Sequence, residues 1–276
     1  MEASNSANKW SLLEFETMSL DEWEKHFYER GSEQLGGLTP SSIWLRSVEN
    51  AGTRVAEFIR REEYQEAVES LGEALGLLCC FVRKYREGHE LSTLSDIAWN
   101  KYPGMCYACA DKIPENEVKQ KDYVSCICLG MQGKPKAKKK SKENLERAQK
   151  MKKKPRTLDE WSGMIKAIYK EAHSVLPISG LCLHFIEEIG EVTRELYEYD
   201  ALEKRNTVEK KVLAKKIKKL EGEIADTFSW IFGLVNKIDQ LFEKARDYYA
   251  KDVKLCPLKA SEIARDALRA FPREHE

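Results

Sequence analysis

The sequence predicts an all-α protein, on three observations. Apolar residues recur at spacings of three and four through almost every periodic stretch, and alternating β-branched runs are few. Ser19-Leu-Asp-Glu-Trp23 and Thr157-Leu-Asp-Glu-Trp161 both have the form of helix starts, a Ser or Thr cap followed by acids in the first turn. These two segments also match each other. Their offset of 138 positions, carried forward without a gap, pairs Leu38 with Leu176, Ser41 with Ser179, Leu45 with Leu183, Glu49 with Glu187, Gly52 with Gly190 and Glu57 with Glu195. After a connection 12 residues longer in the second copy, Gly72-Glu73 aligns with Gly222-Glu223. An offset kept over this span predicts the internal duplication of a helical unit of about 90 residues.

The duplication divides the chain into four segments. Residues 1–100 hold the first copy, 101–130 a cysteine-bearing knuckle, 131–156 a basic connector and 157–276 the second copy. Charge follows this division. Overall 46 Lys+Arg balance 46 Asp+Glu, but residues 1–130 sum to −8, 131–156 to +10 and 157–276 to −2. The Lys-rich run from Lys134 to Lys154, bracketed by Pro135 and Pro155, reads first as a solvated linker. Its sharper reading is a nucleic-acid contact, against which stands the absence of aromatic residues for base stacking. The best apolar runs, Gly76–Val82 and Trp230–Val235, fall far short of the ~18 residues of a membrane span. Nothing in the N-terminal residues has the basic-then-apolar form of a secretion signal. The expectation is a cytoplasmic protein with no membrane partner.

A reducing compartment disfavours disulfides and turns attention to metal binding. Cys106-x2-Cys109 and Cys126-x-Cys128 are separated by 16 residues and flanked by turn-forming Pro103-Gly104 and Pro114. Two close thiolate pairs across a short polar loop can supply the four sulfur ligands of a structural zinc ion. Cys79, Cys80 and Cys182 lie in apolar helical stretches and read as core.

The second copy carries Glu187-Glu188-x-x-Glu191 and then Glu223-x-x-Asp226. At ~100° per residue, Glu188 is displaced toward the apolar stripe of Phe185, Ile189, Val192 and Leu196. Glu223 continues the stripe of Thr227, Trp230 and Leu234. Acids at core-continuing positions on consecutive helices are costly unless paired or bound to a metal, and several together call for a hard divalent cation. Each motif alone is a common wet helix face. The first copy supplies a control: Glu49, Asn50, Thr53, Glu73 and Gly76 occupy the five positions, so three acids are gone while the apolar framework stays. One copy reads as metal-competent and the other as scaffold.

These motifs resemble the MazG-like all-α nucleoside triphosphate pyrophosphohydrolases, over residues 157–245 and, in degenerate form, 19–86. The resemblance implies two tandem four-helix units packed as a pseudo-dimer, with the knuckle between them. It implies Mg²⁺ as catalytic cofactor on Glu188, Glu191, Glu223 and Asp226, and Glu187 as the residue that orients or activates the attacking water. It implies a nucleoside triphosphate substrate split into monophosphate and pyrophosphate. Asn236 resembles the family's polar residue near the end of the acidic helix and becomes a candidate substrate contact, together with the adjacent Lys237. Family members pair, so a homo-oligomer is consistent with it. The long, lysine-rich stretch Lys204–Lys219 between the motifs and the knuckle depart from the minimal family pattern. The competing reading is a catalytically silent regulatory protein that binds a nucleotide, or nucleic acid through residues 134–154.

Overall fold

The computed structural model describes residues 12–35, 37–127, 139–205, 208–249 and 258–270. Within them the chain is all-helical, without a β-strand, and no helix is long and apolar enough to cross a membrane.

Helix α1 (Leu12–Thr17) leads to Ser19, whose hydroxyl accepts from Glu22 N at 3.2 Å while Glu22 Oε2 accepts from Ser19 N at 2.6 Å. This reciprocal box satisfies two of the donors a helix start leaves open, and α2 (Leu20–Leu35) follows. Thr39 caps α3 (Pro40–Glu49), with Pro40 at the first position, where its missing N–H costs nothing. The helix widens into a π-helical turn, Asn50–Val55, before α4 (Ala56–Arg60). After a turn at Glu62 (φ 61°), α5 (Tyr64–Arg86) runs through the core of the first half.

Thr93 caps α6 (Leu94–Lys101), after which Gly104 turns the chain with φ 72°. A Cβ there would sit 2.7 Å from Lys152 Cδ and 3.1 Å from Asp122 O, so a side chain is strained both by its φ and by the close carbonyl. A cysteine-bearing turn and α7 (Glu115–Gln120) come next, and then α8 (Lys139–Met151). The basic connector is therefore not a solvated linker over these residues. Ser141, Asn144, Leu145 and Ala148, spaced i, i+3, i+4, i+7, are buried, and Leu145 and Ala148 share a small core with Met105, Ala110, Ile113, Val118 and Val124. Asn144 Nδ2 donates to the carbonyls of Ala110 (2.8 Å) and Ile113 (3.1 Å). A four-residue stripe docks a helix whose other faces are charged and polar. Lys134 and Pro135 lie outside the described residues.

Helix α9 (Leu158–Val175) opens on the same kind of box as α2: Thr157 Oγ1 accepts from Glu160 N at 3.2 Å and Glu160 Oε2 from Thr157 N at 3.3 Å. Helix α10 (Ile178–Glu203) and α11 (Lys210–Tyr249) pack along each other more extensively than any other pair, and α12 (Ala260–Ala270) closes on α5. Gly72 allows that closure, since a Cβ would lie 2.9 Å from Ala267 Cβ and from Ile263 O. The stretch between the acidic motifs is thus mostly helix, extending α10 and α11 at the ends where they meet.

The two boxed starts meet: Ser19 and Thr157 form an antiparallel bridge, with Leu20 N donating to Arg156 O at 2.9 Å. Trp23 and Trp161, four residues into each helix, are both fully buried. Helices α2 and α3 pack on α5 as α9 and α10 pack on α11, and α5 and α11 touch each other. Fully burying one such aromatic side chain is worth roughly 2–3 kcal/mol, offset in part here because the indole N–H of Trp23 and of Trp161 is buried without a hydrogen-bond partner.

Candidate metal centre and cavity

Each acidic side chain is placed by its turn of helix. Glu188 and Glu191 stand one turn apart on α10, and Glu223 and Asp226 one turn apart on α11. Because these helices lie side by side, carboxylate oxygens of Glu188, Glu191 and Glu223 come within 4.8 Å of one another. Glu223 is only 8% exposed. Glu188 Oε2 is buried with no hydrogen-bond partner. Its pKa is pushed up to about 8, first by burial, then by the negative charge of Asp226, with Glu191 and Glu223 adding to it and Lys101 opposing. Three oxygen donors with an orphaned buried oxygen suit a hard divalent cation such as Mg²⁺.

Asp226 is outside this 4.8 Å group, though near enough for its charge to act on Glu188. Its carboxylate accepts from Lys101 Nζ and from the Tyr102 hydroxyl, both carried in from the end of α6. Lys101 Nζ also donates to Gly222 O at 2.8 Å. The four acids expected as one ligand set therefore divide into three whose oxygens converge, with Arg194 also on Glu191 at 3.3 Å, and Asp226, which is bonded to Lys101 and Tyr102. Burial is the main cause, with Asp226 second, that holds the Tyr102 hydroxyl well above its usual range.

Three further residues of the expected site lie outside the three-carboxylate group. Glu187 is 63% exposed and pairs with His184 Nδ1 at 3.2 Å, on the solvent side of α10, away from the three-carboxylate group. One position along a helix rotates a side chain by about 100°, enough to turn it from the cluster to the water. Asn236 and Lys237 are buried fasteners between α11 and α9. Asn236 Oδ1 accepts from Ser162 Oγ (3.1 Å) and its Nδ2 donates to Ser162 O (3.2 Å), while Lys237 Nζ donates to His173 O (2.7 Å). Neither lines the cavity described next.

A cavity of about 820 Å³ opens beside the acids. One wall is Tyr169, Glu188, Glu223, Asp226 and Trp230; the facing wall comes from α6, the cysteine turn and α8, including Asn100, Tyr107, Lys142 and Leu145. Lys218 and Lys219 also line it, whereas Lys216 is committed to Glu195 and Glu198. The facing wall, and Lys101 and Tyr102 within it, escaped the sequence reading because no spacing links residue 101 to residue 226.

Cys106, Cys109 and Cys126 are buried with their sulfurs within 4.8 Å of one another; Cys128 lies outside the described residues. Cys109 and Cys126 Sγ are 3.7 Å apart. Sulfurs at ~2.3 Å from a tetrahedral zinc would be ~3.8 Å apart, so the three thiols suit that ion. Cys126 N donates to Ile168 O at 2.6 Å, tying the turn to α9. Comparison with known protein families, with curated proteins and with solved structures returned no match to this chain.

Proposed function

We propose that this chain is a Mg²⁺-dependent nucleoside triphosphate pyrophosphohydrolase of the MazG-like, all-α kind, with the cation held by Glu188, Glu191 and Glu223. The convergence of these three carboxylates to within 4.8 Å carries the reading. Each Asp226 oxygen accepts one bond, from Lys101 or Tyr102, and keeps a second lone pair with which Asp226 could serve as a fourth ligand. When bound, the cation neutralises phosphate charge and polarises the phosphoryl group under attack. The protein's own residues do the rest: lysines at the cavity meet the polyphosphate, and Tyr107, Leu145 and Trp230 enclose the apolar part of the substrate and limit access of bulk water. A water oxygen bonds to the α-phosphorus as the bond from that phosphorus to its bridging oxygen breaks, and the electron pair leaves with pyrophosphate. The water's protons pass to the monophosphate product and to solvent.

The same reading makes the chain a pseudo-dimer of duplicated units. Its supports are the paired boxes at Ser19 and Thr157, the two buried tryptophans and the like packing of α5 and α11. In the scaffold half, Asn50, Arg54 and Glu73 bond together where the other half gathers acids. A zinc ion on Cys106, Cys109 and Cys126 would stabilise the knuckle and do no chemistry.

The test is incubation of the full chain with each NTP and dNTP plus Mg²⁺. The reading requires monophosphate and pyrophosphate in equal amounts, with turnover lost in Glu191→Ala. Turnover that survives that substitution removes the assignment. Salt-dependent binding of RNA or DNA without turnover would favour the silent regulatory protein instead.

A further inference from the structure

Lys101 is not on either helix that carries the acids. It is the last residue of α6, immediately before the Gly104 turn that leads into the cysteine cluster. Its ammonium is bonded to Asp226 and to Gly222 O, lies 5.7 Å from the centroid of the Tyr107 ring, and is only 18% exposed, at the boundary between the acids and the cavity. The group therefore sits where a dication on Glu188, Glu191 and Glu223 and a polyphosphate in the cavity would meet.

We infer that Lys101 is a substrate-binding residue, the cation that takes the phosphate chain of the substrate once a divalent ion takes over the neutralisation of the acidic cluster. The inference rests on the hydrolase reading and adds to it a group from outside the acidic helices. With the cluster unneutralised, Asp226 is the strongest acceptor Lys101 can reach. A dication beside Asp226 repels the ammonium and weakens that bond, leaving Gly222 O as the acceptor already in place. An oxygen-rich anion in the cavity then offers the ammonium the charge-assisted bonds it has lost. Lys142, Lys218 and Lys219 line the same space beside Glu146 and Glu221, and Lys142 pairs with Glu146 at 3.8 Å. The cysteine turn acquires a purpose in this arrangement. By pinning the chain after Lys101 to α9 through Cys126 and Ile168, it holds one wall of the cavity against the other.

The experiment uses the full chain as wild type, Lys101→Met and Lys101→Arg. Calorimetric titration first measures Mn²⁺ alone and then inorganic pyrophosphate added to the Mn²⁺-loaded protein. Lys101→Met is expected to weaken pyrophosphate binding about tenfold or more, with Mn²⁺ affinity unchanged or tighter and Lys101→Arg recovering most of the loss. The KM for a nucleoside triphosphate should rise by a like factor, with a smaller change in kcat. Pyrophosphate affinity indifferent to Lys101→Met overturns the inference. So does an equal loss of Mn²⁺ affinity, which would make Lys101 only a support for the carboxylates. Either result can occur with hydrolysis intact, and the hydrolase reading then stands. A wild-type chain that takes up no Mn²⁺ and hydrolyses nothing overturns both.

Discussion

Asn50 Nδ2 donates to Glu73 Oε2 at 2.9 Å, between the two positions that the sequence match pairs with Glu188 and Glu223. Arg54 bonds to the same Glu73 oxygen. An amide and a guanidinium thus satisfy this one carboxylate, while Glu188, Glu191 and Glu223 face one another with Arg194 on Glu191. The two arrangements differ by the charge each must find from outside.

That difference makes the two glutamates respond oppositely. Glu73→Gln should cost about 1–2 kcal/mol, through its charged partner, and leave Mn²⁺ uptake intact. Glu223→Gln should abolish the Mn²⁺-induced rise in melting temperature without lowering the melting temperature of the metal-free chain. Thermal melts with and without Mn²⁺ measure both. A full Mn²⁺ shift in Glu223→Gln would remove Glu223 from the ligand set.

His173 supplies a pH dependence. It is buried between Tyr169 and Trp230, at ring separations of 5.3 and 5.7 Å, and burial with the nearby Lys237 ammonium lowers its pKa to about 4. Below its unfolded value of about 6.5 the unfolded chain binds a proton that the folded chain refuses, so stability falls as pH drops from there toward 4. The contribution reaches about 3 kcal/mol at the low end of that window. Denaturant unfolding at pH 7 and pH 4.5 should show a smaller acid loss in His173→Gln than in the wild type. An identical loss in both would show that His173 takes up its proton without cost.

Asn236→Ala separates packing from substrate contact. It removes two hydrogen bonds to Ser162 and leaves buried partners unsatisfied, at a cost of about 1–3 kcal/mol. The KM for the triphosphate should not change. A raised KM at unchanged stability would return Asn236 to the substrate site.

Cys109→Ala tests the thiol cluster. Wild-type protein unfolded in the presence of a zinc-sensitive dye should release about one zinc per chain, and the variant none. The variant should also melt at a lower temperature, because the turn that Cys126 ties to Ile168 loses its central ligand. Equal metal content in the two proteins would leave the cysteines as ordinary core thiols.

Periodicity made the helices legible, and the acidic residues on core-continuing positions pointed to Glu188 and Glu223, because both signals are local to one helix. The direction of Glu187 was also within reach, since 100° of rotation separates it from Glu188. The α8 stripe was present in the sequence but outweighed by its lysines: composition says how a segment is solvated on average, not which one face is dry. The actual surroundings of Asp226, Asn236 and Lys237 were not legible, because each is decided by a partner 64 or more positions away, from Lys101 to Asp226, from Ser162 to Asn236 and from His173 to Lys237.

By itself the sequence determined the helical class, the matching helix starts at Ser19 and Thr157 and the pair of helices that carry the acids. These follow from side-chain spacing along a single helix, which the chain's own geometry sets. The tertiary structure alone decided which acids converge, which one Lys101 neutralises and what forms the opposite wall of the cavity. Those outcomes depend on how helices from distant parts of the chain lie against one another, and the electrostatics of a buried carboxylate are set by what packing brings within a few ångströms of it.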